Sequence, residues 1–200
     1  MAPDWPAIAL TPLRSGDVAR LNAWQNEPGL RDLAIGFRGP VAEETTANWL
    51  RGLGEDNLRS RVVFGIRHQQ ALKGLAQLHS IDWVQRSAML GLSIGDKADR
   101  GAGLGFAAAS LLLDYAFAGL DLQRVALTVL HGNTAAIRLY EGLGFTREGV
   151  LRSAAFLAGR REDVVLYGLL RAEWQPCLPA EAARLVAALP EQERAEAGQP

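Results

Sequence analysis

The chain is poor in the residues from which many functional sites are built. One cysteine, Cys177, among 200 residues excludes a disulfide within a single copy. Three histidines, His68, His79 and His131, lie too far apart to resemble the ligand set of a zinc site. No apolar run approaches the roughly 20 residues that a bilayer-spanning helix needs. Charge of one sign is lacking too: 21 Lys and Arg stand against 22 Asp and Glu, a formal net charge of -1. That balance excludes a global basic field of the kind that holds nucleic acid or an anionic membrane, so any phosphate recognition must be local. The opening MAPDWPAIALTPLR carries Asp4 and early prolines where a leader would be basic and then apolar, and a cytoplasmic protein is expected. No Lys-Ser or Lys-Thr pair exists, so the chain has no P-loop.

What is present suits one globular domain. Hydrophobic residues make up 48% and charged residues 22%, enough apolar material for a sizeable core. A short strand is expected at 8–10, then a helix over 18–25 behind Ser15-Gly16-Asp17, broken by Asn26-Glu27-Pro28-Gly29. A second helix is expected over 42–53, with Glu43 and Glu44 in its first turn. Strands at 62–66 and 72–79 flank the polar tip His68-Gln69-Gln70 as a hairpin, and another strand covers 88–94. The next helix has apolar residues at 104, 107, 108, 111, 112 and 115, and Phe106, Leu113 and Phe117 widen that face. It should be covered on more than one side. The nearly continuous apolar run 124–130 reads as a central strand. A helix over 134–143 closes at Gly144, and strands at 145–150 and 163–169 end the fold.

The pattern is α/β (α+β): a mixed, mostly antiparallel sheet of about seven strands with about four helices on both faces. A single domain is expected over 1–175. Residues 176–200 turn to Ala, Glu, Arg and Pro, as a short helix and a flexible tail.

The chemistry is concentrated in Arg100-Gly-Ala-Gly-Leu-Gly105, between the strand at 88–94 and the apolar helix. Gly101, Gly103 and Gly105 let backbone N–H groups crowd around a ligand at a helix N-terminus, where free donors and the dipole favour an anion. Gly103, Gly105 and Ala108 also fit a relaxed dinucleotide pattern. That fingerprint, however, follows a first strand and has an acidic residue closing the second. Here the loop is mid-chain, and Asp121 precedes the next strand instead of ending it.

Arg100-x-x-Gly103-x-Gly105 resembles the pyrophosphate loop of the GNAT family of N-acetyltransferases. The segment 125–133, ending His131-Gly132-Asn133, and 136–145, containing Leu139-Tyr140-Glu-Gly-Leu-Gly144-Phe145, resemble the second half of that family's core. The likeness spans about residues 10–174. Leu10-Thr-Pro-Leu-Arg14, Trp24-Gln-Asn-Glu-Pro28 and Gly159-Arg-Arg-Glu-Asp163 are similar to the RimJ/RimL-like subgroup that acetylates ribosomal-protein N-termini. The same subgroup also includes polyamine and amino-sugar acetyltransferases.

This resemblance implies acetyl-coenzyme A as co-substrate and no metal. The amides of Arg100, Gly101, Gly103, Gly105 and Phe106 would carry the pyrophosphate. Leu92 and Ile94 would pair with the pantetheine arm as an added strand does, and Asn133 would contact the same arm. Tyr140 is the expected general acid, since a phenol is protonated at pH 7 and can donate to a departing thiolate. On helical spacing alone, Tyr140 equally reads as a core aromatic, and Asn133 as an N-cap. The partner would be an amine, peptide or small molecule; a homodimer is in keeping with the family. Glu27, Asp32, Glu43, Glu44, His79, Asp82 and His131 are candidates for taking the amine's proton, with none singled out. Trp24, Phe37, Arg38 and Trp49 lie in segments that could line the acceptor side. A coenzyme A-binding module without turnover is the alternative reading.

Overall fold

The computed structural model describes residues 7–31, 39–54, 58–157 and 159–177. Phe37, Arg38, Asp32 and the expected helix and tail beyond residue 177 lie outside them.

Seven strands form one sheet in the order β1-β2-β3-β4-β5-β7-β6. They are β1 (Ile8–Thr11), β2 (Arg61–His68), β3 (Ala71–Asp82), β4 (Ser87–Ile94), β5 (Arg124–Leu130), β6 (Thr146–Leu157) and β7 (Arg160–Leu170). Every pairing is antiparallel except β4 with β5, which the helix crossover between them makes parallel. The described helices are α1 (Val18–Asn26), α2 (Pro28–Arg31), α3 (Glu43–Gly52), α4 (Leu104–Asp114) and α5 (Thr134–Gly142). This is the mixed, mostly antiparallel sheet that the pattern of elements predicts, with a fifth short helix. Asn26-Glu27-Pro28-Gly29 does break the first helix, yet the chain restarts at once. Pro28 opens α2 at the position where a missing N–H costs nothing, and Glu27 accepts the Gly29 and Leu30 amides.

Alternation along β3, shifted by the bulge opposite Ile66 and Arg67, separates two cores. Ala76 and Leu78 face the main cluster with Leu104, Ala107, Ala108, Ala109 and Leu111 to Leu113, so α4 is buried nearly all round as its wide apolar face requires. Leu75 faces the other way, towards a smaller cluster of Leu21, Trp24 and Leu72 with Leu13, Leu30 and Trp49. Asn22 and Asn26 tie α1 to the segment before α3: Asn26 donates to the Val41 carbonyl at 2.9 Å and accepts the Val41 N–H at 2.9 Å, as a strand neighbour would. Asp17, expected as a helix cap, accepts the Arg14 N–H at 2.8 Å and the buried Arg67 guanidinium at 2.7 Å.

The crossover through α5 does not place β6 beside β5. β7 inserts between them, pairing Leu130 with Val164 and Arg124 with Leu170. α5 ends as expected at Gly144, whose φ of 89° continues a Schellman turn: the Gly144 N–H reaches the Glu141 carbonyl, and the Phe145 N–H reaches that of Tyr140, both at 3.0 Å.

Candidate active site

The site starts with a failure of pairing. β4 and β5 run parallel through Ser87↔Arg124, Ala88↔Val125 and Met89↔Ala126, and their register ends there, although β4 continues to Ile94 and β5 to Leu130. On their outer sides both strands stay paired, β4 to β3 as far as Ile94 and β5 to β7 as far as Leu130. The sheet therefore splays between them. Gly95 donates its N–H to the Lys73 carbonyl at 2.9 Å, which turns the backbone groups of odd residues in β4 towards β3. Those of Leu90, Leu92 and Ile94 consequently face the gap. An extended arm carrying its own amides can add there as a strand does, where the resemblance placed Leu92 and Ile94.

Beyond the open end of the gap lies the glycine loop. Gly101 and Gly103 both adopt φ of 79°, and Gly103 is the residue before α4. This left-handed conformation favours glycine and turns successive N–H groups the same way. The Arg100 N–H bonds to Lys97 and that of Ala107 to Gly103, while among the described residues the amides of Gly101 through Gly105 have no partner. Five adjacent free donors at the start of an 11-residue helix make an anion cradle.

The Arg100 side chain is occupied elsewhere. It donates to the Ile94 carbonyl at 3.2 Å and the Gly95 carbonyl at 2.7 Å, and lies 3.7 Å from Glu27. Its guanidinium ties the loop back to the strand, leaving anion binding to the backbone. Gly105 sits where three elements converge. A Cβ there would lie 3.1 Å from Leu139 of α5, and 3.6 and 3.8 Å from Leu92 and Ile94 of β4. Phe106 closes the same seam against Gly142.

Asn133 caps α5, its Oδ1 accepting the Ala136 N–H at 3.2 Å. Its side-chain amide N–H groups remain for another acceptor. Tyr140, next to Leu139, is 7% exposed, and its ring packs edge-on against Phe145 at 5.8 Å. Burial pushes its hydroxyl up to about 12. That hydroxyl has no hydrogen-bond partner among the described residues. Tyr140 is thus a core ring, as its helical spacing suggests, with a hydroxyl unpartnered among the described residues.

The candidates for taking a proton separate. Glu27 is held by α2 and Arg100, and Asp82 by the Val84 and Gln85 amides at 2.9 and 2.8 Å. Glu43 and Glu44 are exposed in the first turn of α3, and His131 is exposed after β5. His79 is half-buried on β3 opposite Met89, where the last β4–β5 pair forms, and lines an open cavity with Ser60, Arg61, Gln77 and Ser80. Burial, with Arg61 adding to it, pulls its imidazole below the usual histidine range and leaves it neutral at pH 7. Trp24 and Trp49 pack into the small core. Trp24 proves to be a link that its sequence position did not reveal: its indole covers Gly95 and its N–H bonds to Asp96 at 2.8 Å. No group of three or more metal-ligating side chains is found among the described residues, and no described helix is long and apolar enough to cross a membrane.

A splayed β4–β5 pair leads to a helix-terminal anion loop, a geometry with the shape and donors for an extended, phosphate-bearing arm. The acetyltransferase (GNAT) domain family matches residues 8–146, and the chain belongs to that family of acyltransferases. It is 37% identical over 133 residues to YdaF of Bacillus subtilis, named as a candidate ribosomal N-acetyltransferase, covering 66% of this chain and 70% of that one. It is 34% identical over 106 residues to spermidine N(1)-acetyltransferase of Vibrio cholerae, covering 53% and 61%. A crystal structure of Vibrio cholerae spermidine N-acetyltransferase in complex with CoA and spermine superposes with a TM-score of 0.76 at 27% identity, over 84% of this chain and 97% of that one. A dodecameric structure of that acetyltransferase superposes at 0.71 and 26%, over 83% and 95%.

Proposed function

We propose that this chain transfers an acetyl group from acetyl-coenzyme A directly to a primary amine, both substrates bound together. The observation that carries the reading is the continuity of the splayed gap with five free amides at the start of α4. The pyrophosphate takes the free amides of Gly101 to Gly105, and the pantetheine arm pairs with the backbone of Leu92 and the N–H of Ile94. Asn133 donates to the same arm through its free amide.

In the reaction the amine lone pair attacks the thioester carbonyl, a C–N bond forms and the C–S bond breaks. The amine loses a proton to a base, and the sulfur departs as a thiolate that takes a proton from solvent after it leaves. Tyr140 serves the sulfur, and its raised pKa limits how. A phenol at about 12 facing a thiol of about 8.5 makes outright proton transfer uphill by about 5 kcal/mol. Its contribution is a hydrogen bond that strengthens as charge builds on the sulfur. His79, neutral and half-buried, is the candidate best suited to accept the amine's proton.

The acceptor divides between a ribosomal-protein N-terminus and a small amine such as a polyamine. RimJ/RimL-like segments and YdaF support the first, and the spermidine acetyltransferases support the second. Self-association belongs to the same reading, as in the dodecameric relative. The test is thiol release from acetyl-coenzyme A with ribosomal N-terminal peptides, polyamines and amino sugars as acceptors. Release with one class establishes transfer and names the acceptor. Tight coenzyme A binding without release from any would instead make the chain a sensing module.

A further inference from the structure

The segment between β4 and the anion loop, residues 95–100, is held from outside by α1. A Cβ on Gly95 would sit 1.9 Å from the Trp24 ring, so the indole rests directly on the backbone there. The Trp24 N–H donates to Asp96 Oδ1 at 2.8 Å, and Arg20 donates to Asp96 Oδ2. The Arg20 guanidinium also lies over the Trp24 ring, 5.3 Å from its centre. Those contacts hold the Asp96 carboxyl below the usual carboxylate range, the indole N–H first. Asp96 then builds the turn, its carbonyl accepting the Asp99 N–H at 3.1 Å. Lys73 of β3 fastens the far side with 2.9 Å bonds to both Asp99 oxygens. Gly101, the first free amide, follows Arg100 directly.

We propose that Trp24 is a positioning residue for donor binding: through Gly95 and Asp96, α1 sets the place of the loop that takes the pyrophosphate. This rests on the acetyl-coenzyme A reading. Five amides bind an anion well only when their directions are fixed beforehand, because a mobile loop must lose entropy on binding. Trp24 reaches the loop through its contacts with Gly95 and Asp96.

The experiment is calorimetric titration of the full chain with coenzyme A, followed by kinetics. Trp24→Phe keeps the ring and removes the N–H; Asp96→Asn, at a half-exposed position, removes the charge that both the Trp24 N–H and Arg20 bond to. Each should weaken coenzyme A binding about tenfold, the scale of one hydrogen bond to a charged group. The KM for acetyl-coenzyme A should rise with it while the amine KM stays put. Combined, the two changes should cost little more than either alone. Leu122→Ala, in the main core and outside the cluster that holds Trp24, should lower the melting temperature yet keep coenzyme A affinity within about twofold. Equal weakening by Leu122→Ala, or unchanged affinity in both Trp24→Phe and Asp96→Asn, would overturn the assignment. A wild-type chain that fails to bind coenzyme A would overturn the functional reading itself, which separates the two failures.

Discussion

At the scale of single residues, the site is built from side chains with two jobs. Asn133 ends a turn and starts α5, yet keeps its amide N–H groups for another acceptor. Arg100 matches a phosphate-loop pattern and is instead spent on the carbonyls of Ile94 and Gly95. Tyr140 packs its ring against Phe145 and leaves its hydroxyl free. If that hydroxyl supports the leaving sulfur by a hydrogen bond, Tyr140→Phe should lower kcat about 10- to 100-fold, the loss expected for one bond to a developing charge. Coenzyme A affinity should remain, since the ring and its packing remain. Burial pushes the phenol up to about 12, so the wild-type rate should show no basic limb from this group below about pH 11. A rate unchanged by Tyr140→Phe would remove the residue from the chemistry.

At the scale of elements, the decisive contact is the seam where α4, α5 and β4 meet at Gly105. Alanine there gains roughly 1 kcal/mol of helix propensity against a 3.1 Å approach to Leu139, and stability should scarcely change. Valine must push into Leu139 and Leu92 and should cost about 1–3 kcal/mol, read as a lower urea midpoint with an unchanged slope. A Gly105→Val chain as stable as the wild type would mean that the seam has slack. This seam also shows what the sequence made legible. The strand–loop–helix order, the apolar girth of α4 and the Gly144 stop follow from periodicity and turn chemistry, which act locally. Insertion of β7 between β5 and β6 depends on non-local pairing, and no residue pattern announces it. Trp24 is visible in the sequence as an aromatic near the acceptor side, but its hold on Gly95 spans 71 positions of chain. Only the folded register brings them together.

At the scale of the whole molecule, donor binding and stability should be linked. The splayed gap leaves backbone donors and acceptors of β4 facing β5 without a strand, in the middle of the sheet that carries the main core. A pantetheine arm that pairs there stitches the β1–β4 part to the β5–β7 part, which the described parallel ladder joins over only three residue pairs. A ligand that binds the folded chain alone, at a hundredfold excess over its Kd, adds about 2.7 kcal/mol of stability. For a chain of 200 residues that corresponds to a rise in melting temperature of roughly 5–10 °C. Acetyl-coenzyme A and coenzyme A should both produce it, because the pyrophosphate and arm are common to the two. Nicotinamide dinucleotides share a pyrophosphate but have no arm to fill the gap, and should produce little. Equal stabilisation by both ligand types would mean that the anion loop acts alone and that the splay between β4 and β5 holds no donor.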